Sequence, residues 1–562
     1  MTGRIATLRG GSGYGWTEAV AVGEGRVIAT GRIRDIAGLA DPTTRWLRPG
    51  PGRVILPAIT DAHLHLVDAA VAADEVDLEP ATTLAEALEI VAKVHAARLA
   101  AGDREGWLLG HGWLADRWGA LPTAAALEVA APGRPIALWA HDHHARWLSP
   151  AALAACGISA QTPDPPGGVI GRESGGRPTG ILFEHATRLG LAAIPRPSPA
   201  ALGAAVVRFA ARLAALGIVG VQDPGSTTPD DSLEHGLLVC RGLAQAGRLP
   251  LRVHAGIRDE QLEGAIAAGL RSGDGVPAEA GDDPVARRAA ERFRVGWLKL
   301  FADGSLGSRT AALLAPYEPE PGRTPPAGRR GRLLESRQRM SERAGLAAGA
   351  GIATMIHAIG DAAVRAALDA YGALPPSARA RLRCRPRIEH AQLVDPHDVG
   401  RFAALGVVAS LQPVQLRSDE PAMRRAWGER SRQAYPLASL LAAGARIAFG
   451  TDAPVEPADP WPGLAMAVTR VAAEWGPKQA PSTPEEAITL EQAFRAASVG
   501  PRWSAGERTG GRLVAGASAD LVIVDAAVID EPVRLGGALA TARPLLTLLD
   551  GVECYRDAGF DA

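Results

Sequence analysis

Eight short apolar runs separated by alanine-rich stretches of helical periodicity constrain this chain more than any other feature. The runs fall at 54–65, 218–222, 252–255, 295–301, 353–357, 387–390, 407–412 and 446–452, and 200–216 and 341–348 illustrate the helical stretches between them. Apolar runs with no polar face belong to strands covered on both sides, and alternation of such strands with helices implies a parallel sheet. Eight units predict a closed (β/α)8 barrel, spanning about 54–504, whose functional groups gather where the strands end.

Two regions fall outside that repeat. Residues 68–217 separate the first two runs by far more than one connection needs, so they form an insertion with structure of its own. In it, 107–109 and 136–139 read as strands and 84–99 as an amphipathic helix. The termini, 1–53 and 505–562, carry β-branched runs with glycine turns at 20–31, 511–525 and 546–555, and predict one small β-sandwich domain built from both ends of the chain. Segments 272–288 and 318–332, rich in Gly, Pro and charge, read as exposed loops.

With 562 residues, 47% of them hydrophobic, the chain can bury a large core. A net charge of −1 gives no reason to expect nucleic acid or an anionic membrane as partner. The first residues lack the basic flank and apolar core of a signal peptide, no run is long enough to span a bilayer, and a cytoplasmic location is expected. Cys156, Cys240, Cys384 and Cys554 lie far apart and read as reduced core thiols.

Five of the eight runs carry metal-ligating side chains at or near their ends. His63 and His65 close the first as D-A-H-L-H, Lys299 lies in the fourth, His357 closes the fifth, His390 the sixth, and Asp452 the eighth. On a strand, alternation would send both imidazoles of H-x-H to one side. Burying this many imidazoles and a carboxylate without a cation would leave polar groups short of partners. Lys299 stands out because only three of 60 basic residues are lysine, the others being Lys93 and Lys478. Its apolar neighbours Trp297, Leu298, Leu300 and Phe301 argue against an edge strand, and arginine cannot replace an amine that must lose its proton to react.

The segments L-P-A-I-T-D-A-H-L-H, W-L-K-L-F-A-D-G-S-L-G-S-R-T, I-H-A-I-G-D-A-A-V, R-I-E-H-A, F-G-T-D-A-P-V and G-R-L-V-A-G-A-S-A-D-L-V-I-V-D together resemble the amidohydrolase superfamily. The pieces G-H-G-W at 110–113, P-T-G-I-L-F-E at 178–184 and A-D-G-S-L-G-S-R-T point within it to the YtcJ-like branch, which includes N-substituted formamide deformylases. The resemblance implies a barrel with a terminal β-sandwich, one or two divalent ions, usually zinc, and hydrolysis of a non-peptide C–N bond in a small molecule. Lys299 matches the lysine that is carboxylated and bridges the ions in two-metal members. Under that reading His63, His65 and Asp452 bind one ion, His357 and His390 the other, and Asp452 carries the proton of a metal-activated hydroxide mechanism to the departing nitrogen.

Further polar residues are candidates for contact with substrate: His111 and Trp113 in the insertion, His143 and His144 after its strand at 136–139, and Glu184, Asp303, Arg309 and Gln412. Twelve tryptophans suit a substrate with an apolar or aromatic portion, although core filling accounts for them equally well. A metal-dependent isomerase or lyase, and a non-catalytic binding protein, are the rival readings of the same scaffold. The oligomeric state is left open.

Overall fold

The protein is described by a computed structural model that covers all residues except 120, 141–144, 167, 190–192, 195, 226–233, 278–282, 308, 320–328, 473–474, 476–479, 534–536 and 562, together with the side chains of 116, 117, 184, 185, 234 and 235. Eight parallel strands form the central sheet in chain order: Ile59–Asp61, Ile218–Asp223, Arg252–Arg258, Phe293–Phe301, Thr354–Ala358, Arg387–His390, Val408–Leu411 and Arg446–Phe449. The first and last are joined just beyond their ends, where Ala62 N–H donates to Phe449 O (2.9 Å) and Asp452 N–H to His63 O (2.7 Å). Helices cover the outside. Asp361–Ala373 turns Ala363, Val364, Ala367, Leu368 and Tyr371 onto the strands, and the Tyr371 hydroxyl reaches the carbonyls of Thr354 and Arg387. Each large apolar side chain buried this way stabilises by roughly 1.5–3 kcal/mol, and the many alanines let the helices lie close.

The run at 54–65 is not one strand. Arg53–Pro57 belongs to a different sheet, Ile59–Asp61 opens the barrel, and His63 and His65 lie in the irregular backbone that follows. Pleated alternation therefore does not orient the two imidazoles. The sheet that takes Arg53–Pro57 has seven strands drawn from both termini, in the order Val552–Arg556, Leu546–Leu549, Leu521–Asp525, Arg53–Pro57, Thr2–Ala6, Trp16–Gly23, Arg26–Gly31. Ile5, Val20, Ile55, Leu521, Ile523 and Leu546 form its core.

Residues Ala70–Ala201 form a separate compact unit, inserted between the first two barrel strands. It holds a six-stranded sheet whose central strands are Leu108–Trp113, Ile136–Ala140 and Ala145–Leu148, packed around Leu108, Ile136, Leu138, Trp147 and Ile181. Helix Leu84–Ala100 starts at Thr83, whose hydroxyl caps Glu86 N–H. The helix that follows the unit, Pro199–Ala215, already lies largely in the barrel part of the chain. Among the described residues no helix is long and apolar enough to cross a membrane.

Candidate metal centre

Barrel strand six shows how the sequence builds the site. Arg387 and Glu389, two apart, share one face, and both Nε and Nη2 of Arg387 donate to the Glu389 carboxylate at 2.8 and 2.9 Å. Alternation would then send His390 to the opposite face. Its φ of +69° ends the extended backbone and places its ring centroid 4.6 Å from that of His357 and 5.1 Å from that of His63. Asp452, at φ +63°, makes a similar turn three residues beyond strand eight. Gly450 allows it, because a Cβ there would stand 2.4 Å from His63 N.

His63, His65, Lys299, His357, His390 and Asp452 all line one cavity of about 300 Å³ at the ends of the strands. Its walls also include Phe301, Leu306, Ile359 and Val455, with Gln415 and Asp419 as polar elements. His63 Nε2 and His65 Nε2 stand 3.4 and 3.3 Å from Asp452 Oδ1. Ligand atoms about 2.1 Å from one tetrahedral ion lie about 3.4 Å apart, longer than an ordinary N–H···O contact. His63 Nε2 and His390 Nδ1 are buried with no hydrogen-bond partner. Uncompensated atoms of this kind cost free energy unless something coordinates them. The donor set of imidazole nitrogens and a carboxylate therefore fits a divalent cation.

The His63 and His65 imidazoles are oriented from behind. His63 Nδ1 lies 2.5 Å from Glu389 Oε2, and His65 Nδ1 lies 2.5 Å from Gly225 O, which leaves both Nε2 atoms facing Asp452. Burial opposes charge on Glu389, but Arg387 and His63 outweigh it and hold the carboxyl below its usual range. Arg387 also donates to Gln222, Ala62 O and Ser410, so a fully bonded polar network fills the barrel beneath the site. His357 is pushed down to about 3 by burial and by Lys299, and His390 is also held neutral by burial and by His357. Neutral imidazole is the form that ligates. Burial against Asp452 is likewise outweighed, by the histidines, which keep it ionised. Lys299 is 2% exposed, and burial brings its amine down to about 8.

The other candidates are placed differently. Asp303 accepts from the backbone N–H groups of Ile359, Gly360 and Ala312 at 2.8–3.0 Å, tying the segment after strand four to that after strand five. Burial pushes its carboxyl up to about 7. Arg309, at φ +54°, donates to Glu318 O and stacks its guanidinium 5.0 Å from the Tyr317 ring centroid. Gln412 is fully buried, and neither amide atom has a hydrogen-bond partner among the described residues. His111 and Trp113 lie on strand Leu108–Trp113 of the inserted unit, where the Trp113 indole is buried and donates to Leu138 O (2.9 Å). His143, His144 and the Glu184 side chain lie outside the described residues.

Sequence reasoning missed Glu389, Arg387, Gln415 and Asp419. The i, i+2 pair in R-I-E-H was a readable signal for the first two. Asp419 faces the cavity with Oδ2 held by Gln392 Nε2 (2.7 Å) and the Tyr435 hydroxyl (2.6 Å), and burial pushes it up to about 6. Nothing local in its helix marks it.

Residues 51–555 match the Amidohydrolase family. YtcJ of Bacillus subtilis (strain 168), named as an amidohydrolase, is 30% identical over 519 residues, which cover 90% of each chain. The N-substituted formamide deformylase of Arthrobacter pascens is 28% identical over 568 residues, covering 96% of this chain and 95% of that one. A metal-dependent hydrolase from Pyrococcus furiosus superposes with a TM-score of 0.69 at 26% identity, over 91% of this chain and 95% of that one. A match running through the whole barrel and the C-terminal strands places this chain in the amidohydrolase family, among its YtcJ-like hydrolases.

Proposed function

We propose that this hydrolase cleaves a non-peptide C–N bond, in an amide, formamide or cyclic amide, of a small molecule with an apolar portion. The observation that carries the reading is the meeting of His63 Nε2, His65 Nε2 and an Asp452 oxygen at the spacing of shared ligands. His63, His65 and Asp452 would hold one ion, His357 and His390 a second, and Lys299 would bridge them once its neutral amine has taken up carbon dioxide as a carbamate. A bound divalent cation, zinc by the preference of such donors, supplies Lewis acidity and lowers the pKa of a water to about 7.

The remaining work falls to the chain. Asp452 takes the proton of the attacking water as the C–O bond forms, and returns it to the nitrogen as the C–N bond breaks, so acid and amine leave with protons balanced. Gln415 Nε2, 2.8 Å from Asp452 Oδ2, orients that carboxylate. Phe301, Leu306, Ile359 and Val455 take the apolar portion and exclude water. The test is a screen of metal-loaded protein against formamides, N-acyl amines and cyclic amides, followed by amine release and product mass. Products heavier than substrate by one water, in sum, are expected. Turnover without water uptake would replace this reading by an isomerase or lyase. One ion per active chain with an unmodified Lys299 would remove the bridge.

A further inference from the structure

A second cavity, of about 640 Å³, opens at the other end of the barrel, where the strands begin. Arg252 is the first residue of strand three, Arg294 the second of strand four, and Arg383 precedes strand six. Eight arginines line this cavity against four carboxylates. Three of the eight are matched: Arg252 pairs with Asp520 (2.8 Å) and Asp550, Arg292 with Asp550 (3.0 Å), and Arg502 with Glu507 (2.7 Å). The other five have no acidic partner within 4.0 Å among the described residues. Arg26, Arg294 and Arg383 donate to the carbonyls of Gly516, Phe293 and Gly273. Arg287 and Arg288 sit with Pro284 and Glu291 on the cavity side of helix Pro284–Glu291, whose other side buries Ala286, Ala289 and Ala290.

Two buried groups at the same cavity point to a ligand. Arg502 is 4% exposed, and its Nε has no hydrogen-bond partner. His254 is 6% exposed, lines the cavity, and its ring makes no hydrogen bond among the described residues. Burial and then the surrounding arginines, Arg502 and Arg294 foremost, hold that imidazole neutral, which registers the positive field inside the cavity. Like charges converging in a concave, partly desolvated space repel one another, and a polyanion offering several oxygens relieves them with paired guanidinium contacts. A single negative charge would leave most of the five unmatched. A cavity of about 640 Å³ suits a compact ligand, whereas a duplex or a membrane needs a basic face that extends over many phosphates.

We propose that this cavity binds a small molecule bearing a di- or triphosphate group, at a site separate from the metal centre. The test is isothermal titration of the full-length, metal-loaded protein with inorganic triphosphate, pyrophosphate and ATP at constant ionic strength. Saturable binding at one site per chain is expected, about tenfold or more weaker in Arg287→Gln/Arg288→Gln and unchanged in Arg34→Gln on the terminal domain. Both substituted arginines of the double variant lie on a surface helix, and an unaltered melting temperature without ligand will show that it folds. ATP binding more tightly than inorganic triphosphate would identify a nucleotide as the source, and equal affinity the phosphate chain alone. Phosphates also chelate divalent ions, so the titration is repeated in His63→Ala/His65→Ala. Binding lost there but kept in the arginine double variant overturns the proposal, as does affinity no greater than for sulfate, or retention of single-stranded RNA with no response to triphosphate.

Discussion

Asp452 faces two histidines with one oxygen and a glutamine amide with the other, so replacing it by asparagine removes a charge without changing shape. Asp452→Asn is expected to lower kcat by about a thousandfold or more while leaving the circular dichroism spectrum intact; near-native turnover would reassign the proton carrier. Glu389 never reaches the cavity, yet it fixes the His63 ring. Glu389→Gln should weaken metal binding or kcat by roughly 10–100-fold and also lower stability, since Arg387 would keep a buried charge without its counterion. Metal titration and melting of that variant check both effects. Asp419 carries a pH signature. Its folded carboxyl titrates near 6, above the ordinary 3.8, so the folded state retains a proton that the unfolded state has released. That contribution is complete at low pH and is lost as pH rises through 6. Asp419→Asn, neutral throughout, should therefore gain on the order of 1 kcal/mol on the wild type between about pH 5 and about pH 7. Parallel urea-stability curves over that range would refute the assignment.

Strand ends do more than strands here. Four of the six donor side chains, those of His63, His65, His390 and Asp452, leave the barrel at irregular or left-handed positions, and two, those of Lys299 and His357, at pleated ones. Such turns persist because their surroundings over-determine them: Asp61 accepts from the backbone of both His63 and Thr451, binding the end of strand one to the end of strand eight. Gly450 lies in that junction. Gly450→Ala would drive a methyl group against His63 N and Asp61 Oδ1, and should cost about 1–3 kcal/mol together with a measurable loss of bound metal. Unchanged metal stoichiometry and melting temperature would show that the junction can yield.

The chain divides into a part that holds the barrel and the terminal sheet and the inserted unit Ala70–Ala201. A barrel that converges four imidazoles and a carboxylate, with His63 Nε2 and His390 Nδ1 left without a hydrogen-bond partner among the described residues, should depend on its ion for stability as well as turnover. Chelation is expected to lower the melting temperature and abolish activity, and a divalent ion to restore both, since an ion at a thousand times its Kd stabilises by about 4 kcal/mol. An apo form that melts with the holo form would mean that the imidazoles are satisfied by other means.

The order of apolar runs, and the donor residues that close or nearly close five of the eight, could be read from the chain, because burial on both faces forces a continuous hydrophobic signal and the barrel sends its functional groups to one end. The insertion and the two-ended β domain were legible for the same reason, as breaks in that rhythm. Folding alone assigned His63 to Glu389, His65 to Gly225, and Gln415 and Asp419 to the cavity wall. Those partners are 326 and 160 residues apart in the first two cases. Residues so distant leave no periodic trace, and a single left-handed residue such as His390 is enough to reverse the direction that alternation would give a side chain.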